Sequence, residues 1–220
     1  FLTGVSPVVL SDITSGYNVA KSLSQRPDLN DLCGFTTEEV RATLTQIAAE
    51  QGLSAAQVDD AFALMRTFYN GYCFSSRSPA LIYNPTLALY FWEVLAGEGQ
   101  YPEEMLDDNL AMDRDRIHYV ARLPHGDTLI NAALNPHEPL TVNELSNRFG
   151  VQDMLTAPKD PGFLASLLYY FGVLTLAGRN AWGQLQLTIP NQVIRKLYVE
   201  RLQEQLLPDY DDQRQRQAAV

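Results

Sequence analysis

Lysine is scarce in this chain: Lys21, Lys159 and Lys196 are the only three in 220 residues, against a formal charge of −10. The arginines are scattered singly among Asp and Glu. With no basic patch to override the net field, broad affinity for phosphate backbones is not expected. Cysteine is rarer still. Cys33 and Cys73 are too few for a disulfide framework, and neither has the Cys-x-x-Cys or His-rich spacing that holds zinc, so both are expected as buried, reduced thiols. No apolar run reaches the roughly 18 residues of a membrane span, and the first residues lack the charged and apolar regions of a signal peptide. The expected compartment is therefore the cytoplasm. What the chain does have is 46% apolar residues, enough to bury the core of one large domain or two small ones.

Residues 1–35 read as an irregular entry with an apolar run from Pro7 to Leu10. Regular structure starts at Thr36-Thr37-Glu38-Glu39, a capping box in which the Thr36 hydroxyl accepts from the backbone three residues on and Glu39 reaches back. The helix it opens carries Val40, Leu44, Ile47 and Ala48 on one face and stops before Gly52. A second box, Ser54-Ala55-Ala56-Gln57, opens a helix whose inward face is Val58, Ala61, Phe62, Met65 and Tyr69. Gly71 is expected to close that helix in the left-handed conformation, which glycine enters without steric cost. Asn84-Pro85 then starts a third helix running to about Ala96.

Residues 97–139 are richer in Pro, Gly, Asn and Asp and read as a helical connector, with short helices at 102–111, 113–122 and 127–134. A third capping box, Thr141-Val142-Asn143-Glu144, predicts a helix to about Phe149. After a Pro/Asp/Gly break, the spacing predicts a helix over 163–171, strands over 172–177 and 184–189 joined at Gly178-Arg179-Asn180, and a final amphipathic helix over 191–207. That last helix carries Val193, Ile194, Leu197, Leu202 and Leu206 mostly on one side, and the tail over 208–220 is polar. Helix, helix and a two-stranded wing follow the order of a winged helix-turn-helix.

Four segments occur in a characteristic order: FLTGVS, LCGFTTEEV, FYNGYCFSSRSPALIYNP, and FLASLLYYFGVLTL with LTIPNQVIRKLY. Together they resemble the AAA-ATPase-like proteins of bacteria commonly joined to a C-terminal PD-(D/E)XK nuclease domain. The resemblance covers nearly the whole chain and is strongest in the third segment, where Asn70 and Cys73 stand at positions that are frequently Asp and Arg in the family. It implies that the P-loop and the acidic Mg-binding strand lie upstream of FLTGVS. The chain, which opens without methionine in what reads as a strand, would then be the second half of the ATPase module, ending before the nuclease. ATP and Mg are implied for the parent protein. The implied partners are the N-terminal P-loop half and the C-terminal effector of the same protein.

The residues agree with that subtraction. A P-loop needs a lysine directly after a glycine of the phosphate-cradling turn, and none of the three lysines follows glycine. A PD-(D/E)XK site needs an acidic residue two positions before the lysine, where this chain has Val19, Ala157 and Ile194. No catalytic or metal-binding residue is therefore assigned. By resemblance, Thr3 and Ser6 sit where such ATPases place a residue that senses the terminal phosphate, since hydroxyls there can bond phosphate or the attacking water; otherwise they satisfy a strand-end turn. Arg26 and Arg41 are either charge partners for phosphate or solvated.

Other candidates are weaker. Cys73 as a nucleophile would need a base beside it, and His118, His125 and His137 are all distant in sequence and read as ordinary loop or surface residues. The helix that would read DNA, Phe163–Phe171, contains no charged or amide residue, so it is expected to be buried. Should DNA bind, Arg148, Arg179 and Arg195 flank the wing. The acidic pairs Asp59-Asp60, Glu103-Glu104, Asp107-Asp108 and Asp211-Asp212 are neighbours that diverge around a helix, and read as solvated faces. The expected fold is mainly α with small β: the end of an ATPase core over 1–35, a helical lid-like region over 36–96, the connector over 97–139 and a winged-helix unit over 140–207. The expected role is to couple ATP state to a nuclease or other effector. The alternatives are a non-enzymatic protein-interaction module and a winged-helix DNA-binding module.

Overall fold

The computed structural model describes residues 23, 25–78, 80–106, 111–146, 149, 156 and 158–207. Among these residues the chain is mainly helical, with seven α-helices and one small antiparallel sheet. It divides into two compact units, the first comprising Ser24–Leu110 together with Pro190–Val193. Among the described residues the second holds Ala111–Ile189 and 194–207, with Leu23.

In the first unit a 3-10 turn at Pro27–Leu29 precedes α1 (Thr37–Gln51), α2 (Ala55–Tyr69) and α3 (Pro85–Glu98). Each start is chemically specified. The Thr36 hydroxyl accepts from the Glu39 N–H at 3.2 Å while the Thr36 N–H donates to the Glu39 carboxylate at 2.8 Å. Ser54 and Gln57 repeat the reciprocal pair at 3.4 and 2.9 Å. At α3 the Asn84 side chain accepts from the Leu87 N–H at 3.2 Å, and Pro85 occupies the first turn. All four residues expected to face inward from α1, Val40, Leu44, Ile47 and Ala48, are buried. The first three pack with Ala61, Met65 and Tyr69 of α2, with Leu87, Phe91 and Leu95 of α3, and with Val193. Each fully buried Leu or Phe contributes about 2 kcal/mol, so this contiguous core outweighs any single polar contact in the unit. Val58 and Phe62 lie at its margin, partly buried.

The second unit contains α4 (Ala111–Ala121), α5 (Gly126–Ala133), β1 (Leu140–Val142), α6 (Pro161–Tyr170), β2 (Thr175–Arg179), β3 (Leu185–Thr188) and α7 (Gln192–Leu206). The first two residues of α7 are shared with the other unit. α4 and α5 join closely, because a Cβ on Gly126 would meet the Val120 carbonyl oxygen at 1.9 Å. The strands pair in the order β1-β3-β2, all antiparallel, with Leu140 opposite Leu187 and Val142 opposite Leu185. The register between β2 and β3 shifts between Leu176 and Gly178. α6 is capped by Asp160, which accepts from the Phe163 N–H at 2.8 Å, and it is buried without interruption from Phe163 to Tyr169.

Four local expectations are corrected. Thr141 does not cap a helix: Leu140–Val142 is a strand, and the Thr141 hydroxyl donates to the Pro139 carbonyl at 3.3 Å. The strand wins because Leu140 and Val142 place alternate side chains against Leu187 and Leu185, a long-range pairing that local capping propensity cannot register. The expected wing of two strands is thus part of a three-stranded sheet, with bounds displaced to 175–179 and 185–188. Residues 101–106 are not helical, so the helix expected over 102–111 is absent at least that far. Gly71 is not a left-handed helix cap, because α2 ends one residue earlier on an extended Asn70 with φ −81° and ψ 171°.

Candidate functional site

The aromatic segment from Tyr69 to Asn84 is folded back on itself. Tyr72 and Ile82 exchange N–H···O=C bonds of 3.2 and 2.9 Å, Phe35 and Tyr83 exchange bonds of 3.2 and 2.8 Å, and the Asn84 N–H reaches the Tyr69 carbonyl at 2.9 Å. Tyr69, Tyr72, Ile82 and Tyr83 are buried, with Phe68 and Phe74 at the margin. Gly71 lies at φ +117°, and a Cβ there would come within 1.9 Å of the Pro190 carbonyl oxygen. Glycine is thus demanded twice, by backbone conformation and by a close approach. The segment sets the passage from α2 to α3, as an aromatic plug would.

Asn30, 2% exposed, holds the far end of this loop. Its side-chain oxygen accepts from the N–H groups of Phe74 at 2.9 Å and Ser75 at 3.1 Å, and its amide donates to the Ala80 carbonyl at 3.0 Å. Nothing in the sequence singled it out. Cys73 is buried beside it, its thiol donating to the Ser75 carbonyl at 3.1 Å. Burial pushes that thiol up and the contact with Ser75 pulls it slightly back, which favours the unreactive protonated form at neutral pH. Cys33, by contrast, is exposed, correcting the expectation of two buried thiols: it follows the 3-10 turn, outside the packed core.

The two residues expected to sense nucleotide, Thr3 and Ser6, lie outside the described residues, as does Arg148. Arg26 and Arg41 are exposed and spent on carboxylates, Arg26 on Asp28 and Arg41 on Asp59 at 3.0 Å; Arg41 also covers the Phe62 ring at 4.3 Å. Asp59 is therefore paired, and Glu103 and Glu104 are exposed. Asp107, Asp108, Asp211 and Asp212 fall outside the described residues. Arg195 donates to the Leu134 carbonyl at 2.9 Å, and Arg179 donates to that of Gly183. His125 and His137 are exposed. Among the described residues no three His, Cys, Asp or Glu side chains converge as a metal site would require, and no helix is long and apolar enough to cross a membrane.

A polar constellation that sequence reasoning missed runs along α7. Glu200 accepts from Arg114 of α4 at 3.0 and 3.3 Å, and one turn on, the Glu204 carboxylate lies 3.1 Å from Nε2 of His118. The adjacent stripe of α7 faces α5, with Arg201 on Asp127 at 2.9 Å and Gln205 on Asn131 at 3.1 Å. All three helices thus present their partners four residues apart, the spacing that stacks side chains on one face. Glu200 is only 5% exposed, and its Oε1, like Nε of Arg201, Nε2 of His118 and Oδ1 of Asn131, has no hydrogen-bond partner among the described residues. Beside the ladder, Arg116 bridges Asp113 at 2.6 Å and the Phe171 carbonyl at 3.1 Å; burial pushes the Asp113 carboxyl up, opposed by Arg116. The available signal was the i, i+4 spacing of Arg114/His118, Asp127/Asn131, Glu200/Glu204 and Arg201/Gln205.

At the β2–β3 turn the Asn180 side-chain oxygen accepts from the N–H groups of Trp182 and Gln184, each at 3.0 Å, and the turn carries Trp182 at 87% exposure. No protein-family model, curated protein or solved structure matches the chain.

Proposed function

We propose that this chain is the C-terminal regulatory portion, lid and winged helix, of an AAA-ATPase-like protein, coupling nucleotide state to a nuclease or other effector. The single observation that favours it is the order of the second unit: α5, β1, α6 and the β2–β3 hairpin, with β1 added beside β3. In this reading β1 would be the short strand between the helices of a winged helix and the β2–β3 hairpin its wing. A regulatory role suits it better than DNA reading, because α6, the helix in the recognition position, is buried from Phe163 to Tyr169 and offers no side chain to a base edge.

ATP and Mg would be held by a P-loop half outside this chain. Two observations support that reading: Arg26 and Arg41, the candidate phosphate partners, are paired with carboxylates, and no lysine of the chain follows a glycine. Calorimetry with Mg-ATP tests the assignment. The parent protein should bind while this chain alone should not, and micromolar binding by this chain, or a parent without a P-loop lysine, would overturn it.

One observation favours a second reading, a protein-interaction module. Trp182 combines high exposure with a hydrogen-bonded turn, a combination suited to a preorganised hot spot on a protein partner.

A further inference from the structure

We propose that α7 beyond Tyr198 is a releasable strap, held against α4 and α5 by its polar ladder and able to detach while Ile194–Tyr198 stays docked. The device stands independently of the nucleotide reading.

The two halves of α7 are anchored by different physics. In the first, Ile194, Leu197 and Tyr198 are at most 1% exposed, and the Tyr198 hydroxyl donates to the Val173 carbonyl at 3.1 Å. Among the described residues after Tyr198 the only buried one is Glu200; Leu202 is half-buried, and Val199 and Leu206 are exposed. The second half therefore removes little apolar surface from water, and its attachment rests on the ion pairs Arg114–Glu200 and Arg201–Asp127, the Asn131–Gln205 hydrogen bond and the 3.1 Å approach of His118 to Glu204. Pairs whose members are both partly exposed contribute little net free energy, because docking gives up nearly as much hydration as it gains in attraction. Arg114–Glu200, with its carboxylate sealed, gains little over an apolar contact of the same shape because of its desolvation. Here docking also leaves Oε1 of Glu200 and Nε of Arg201 unsatisfied, and opening returns both to water. A segment with few apolar contacts and half-wet ion pairs belongs to the low-stability end of a structure. Specificity survives, because four matched rungs at i, i+4 spacing define one register for redocking. Release would bare Arg114 and His118 on α4 and Asp127 and Asn131 on α5, a mixed-charge face ready for another helix of the same pattern.

Amide hydrogen exchange on the full chain, followed by NMR, tests this. The amides of residues 203–206 should exchange through a local opening, while those of 195–198 exchange only through global unfolding. Raising salt from about 0.05 to about 1 M should accelerate the first set and leave the second unchanged, since partly exposed pairs are screened. Arg201→Gln should accelerate the first set roughly fivefold. Arg114→Met combined with Glu200→Leu, which replaces a polar rung by an apolar contact, should slow it. Equal protection of both sets would overturn the strap. So would fast exchange of 203–206 that neither salt nor Arg201→Gln alters, because that is ordinary fraying of a helix end.

Discussion

Arg114 and Glu200, 86 positions apart, meet through two hydrogen bonds to a single carboxylate oxygen, Nη2 at 3.0 Å and Nε at 3.3 Å, on a side chain that is otherwise sealed from solvent. Removing one partner and removing both have different consequences. Arg114→Met leaves a buried carboxylate without its cation and should cost about 2 to 3 kcal/mol, discounted from a fully buried pair because Arg114 is partly exposed. Arg114→Met with Glu200→Leu should recover that loss in full and slightly exceed the parent. Urea unfolding of the two variants measures both, and a double variant as unstable as the single would show that the pair itself was strongly stabilising.

Gly71→Ala should destabilise the first unit by about 3 kcal/mol or more. The new methyl meets the Pro190 carbonyl at 1.9 Å, and the backbone is held at φ +117°, where side-chain-bearing residues are strained. Gly52→Ala is the internal control, with positive φ (+69°) but nothing within 4 Å of the added Cβ; it should cost about 1 kcal/mol. Thermal melts that rank the two variants equally would remove the Pro190 contact from the explanation.

Asn30→Ala should cost about 3 kcal/mol by leaving two buried N–H groups and one carbonyl unpaired. Asn30→Asp retains the acceptor for Phe74 and Ser75 but loses the donor to Ala80, so it should not restore full stability. The loop it clamps should become the first site of limited proteolysis, between Phe74 and Ala80.

The two thiols should differ sharply toward Ellman's reagent. Cys33 should react at once in the native protein, and Cys73 only on unfolding, because it is buried and its thiolate is disfavoured. Two equivalents released in a single fast phase would contradict the buried position.

Asp113 gives a pH signature. Its carboxyl is raised above the unfolded value, chiefly by burial, so the folded state binds the proton more tightly. Its contribution to stability therefore grows as pH falls from above the folded value toward the unfolded one, and is lost again as pH rises through the folded value. The melting temperature of the parent minus that of Asp113→Asn should become more positive as pH is lowered through that window. A difference that declines with acidification would mean that the ion pair with Arg116 dominates over burial.

Local chemistry was legible and distant chemistry was not. Thr36, Ser54 and Asn84 announced three helix starts because a cap is complete within four residues. Thr141 had the same signature and misled, since its neighbours' burial against Leu185 and Leu187 is decided forty-odd residues downstream. The uncharged stretch from Phe163 correctly signalled a buried helix. The ladder on α7 escaped because apolar periodicity was the signal sought there, and Leu202 and Leu206 suggested an inward face that the helix does not bury in its second half. Asn30 escaped because one polar residue in an irregular entry has no periodicity at all.

The four residues Pro190–Val193 belong to the first unit, although the chain on both sides belongs to the second. A fragment ending at Leu110 would lack both the carbonyl that crowds Gly71 and the Val193 side chain that closes the core over α1–α3. No single cut therefore liberates the helical unit whole: it is shared by two distant stretches of the gene, and recombination that moved only the first stretch would transfer an unfinished core.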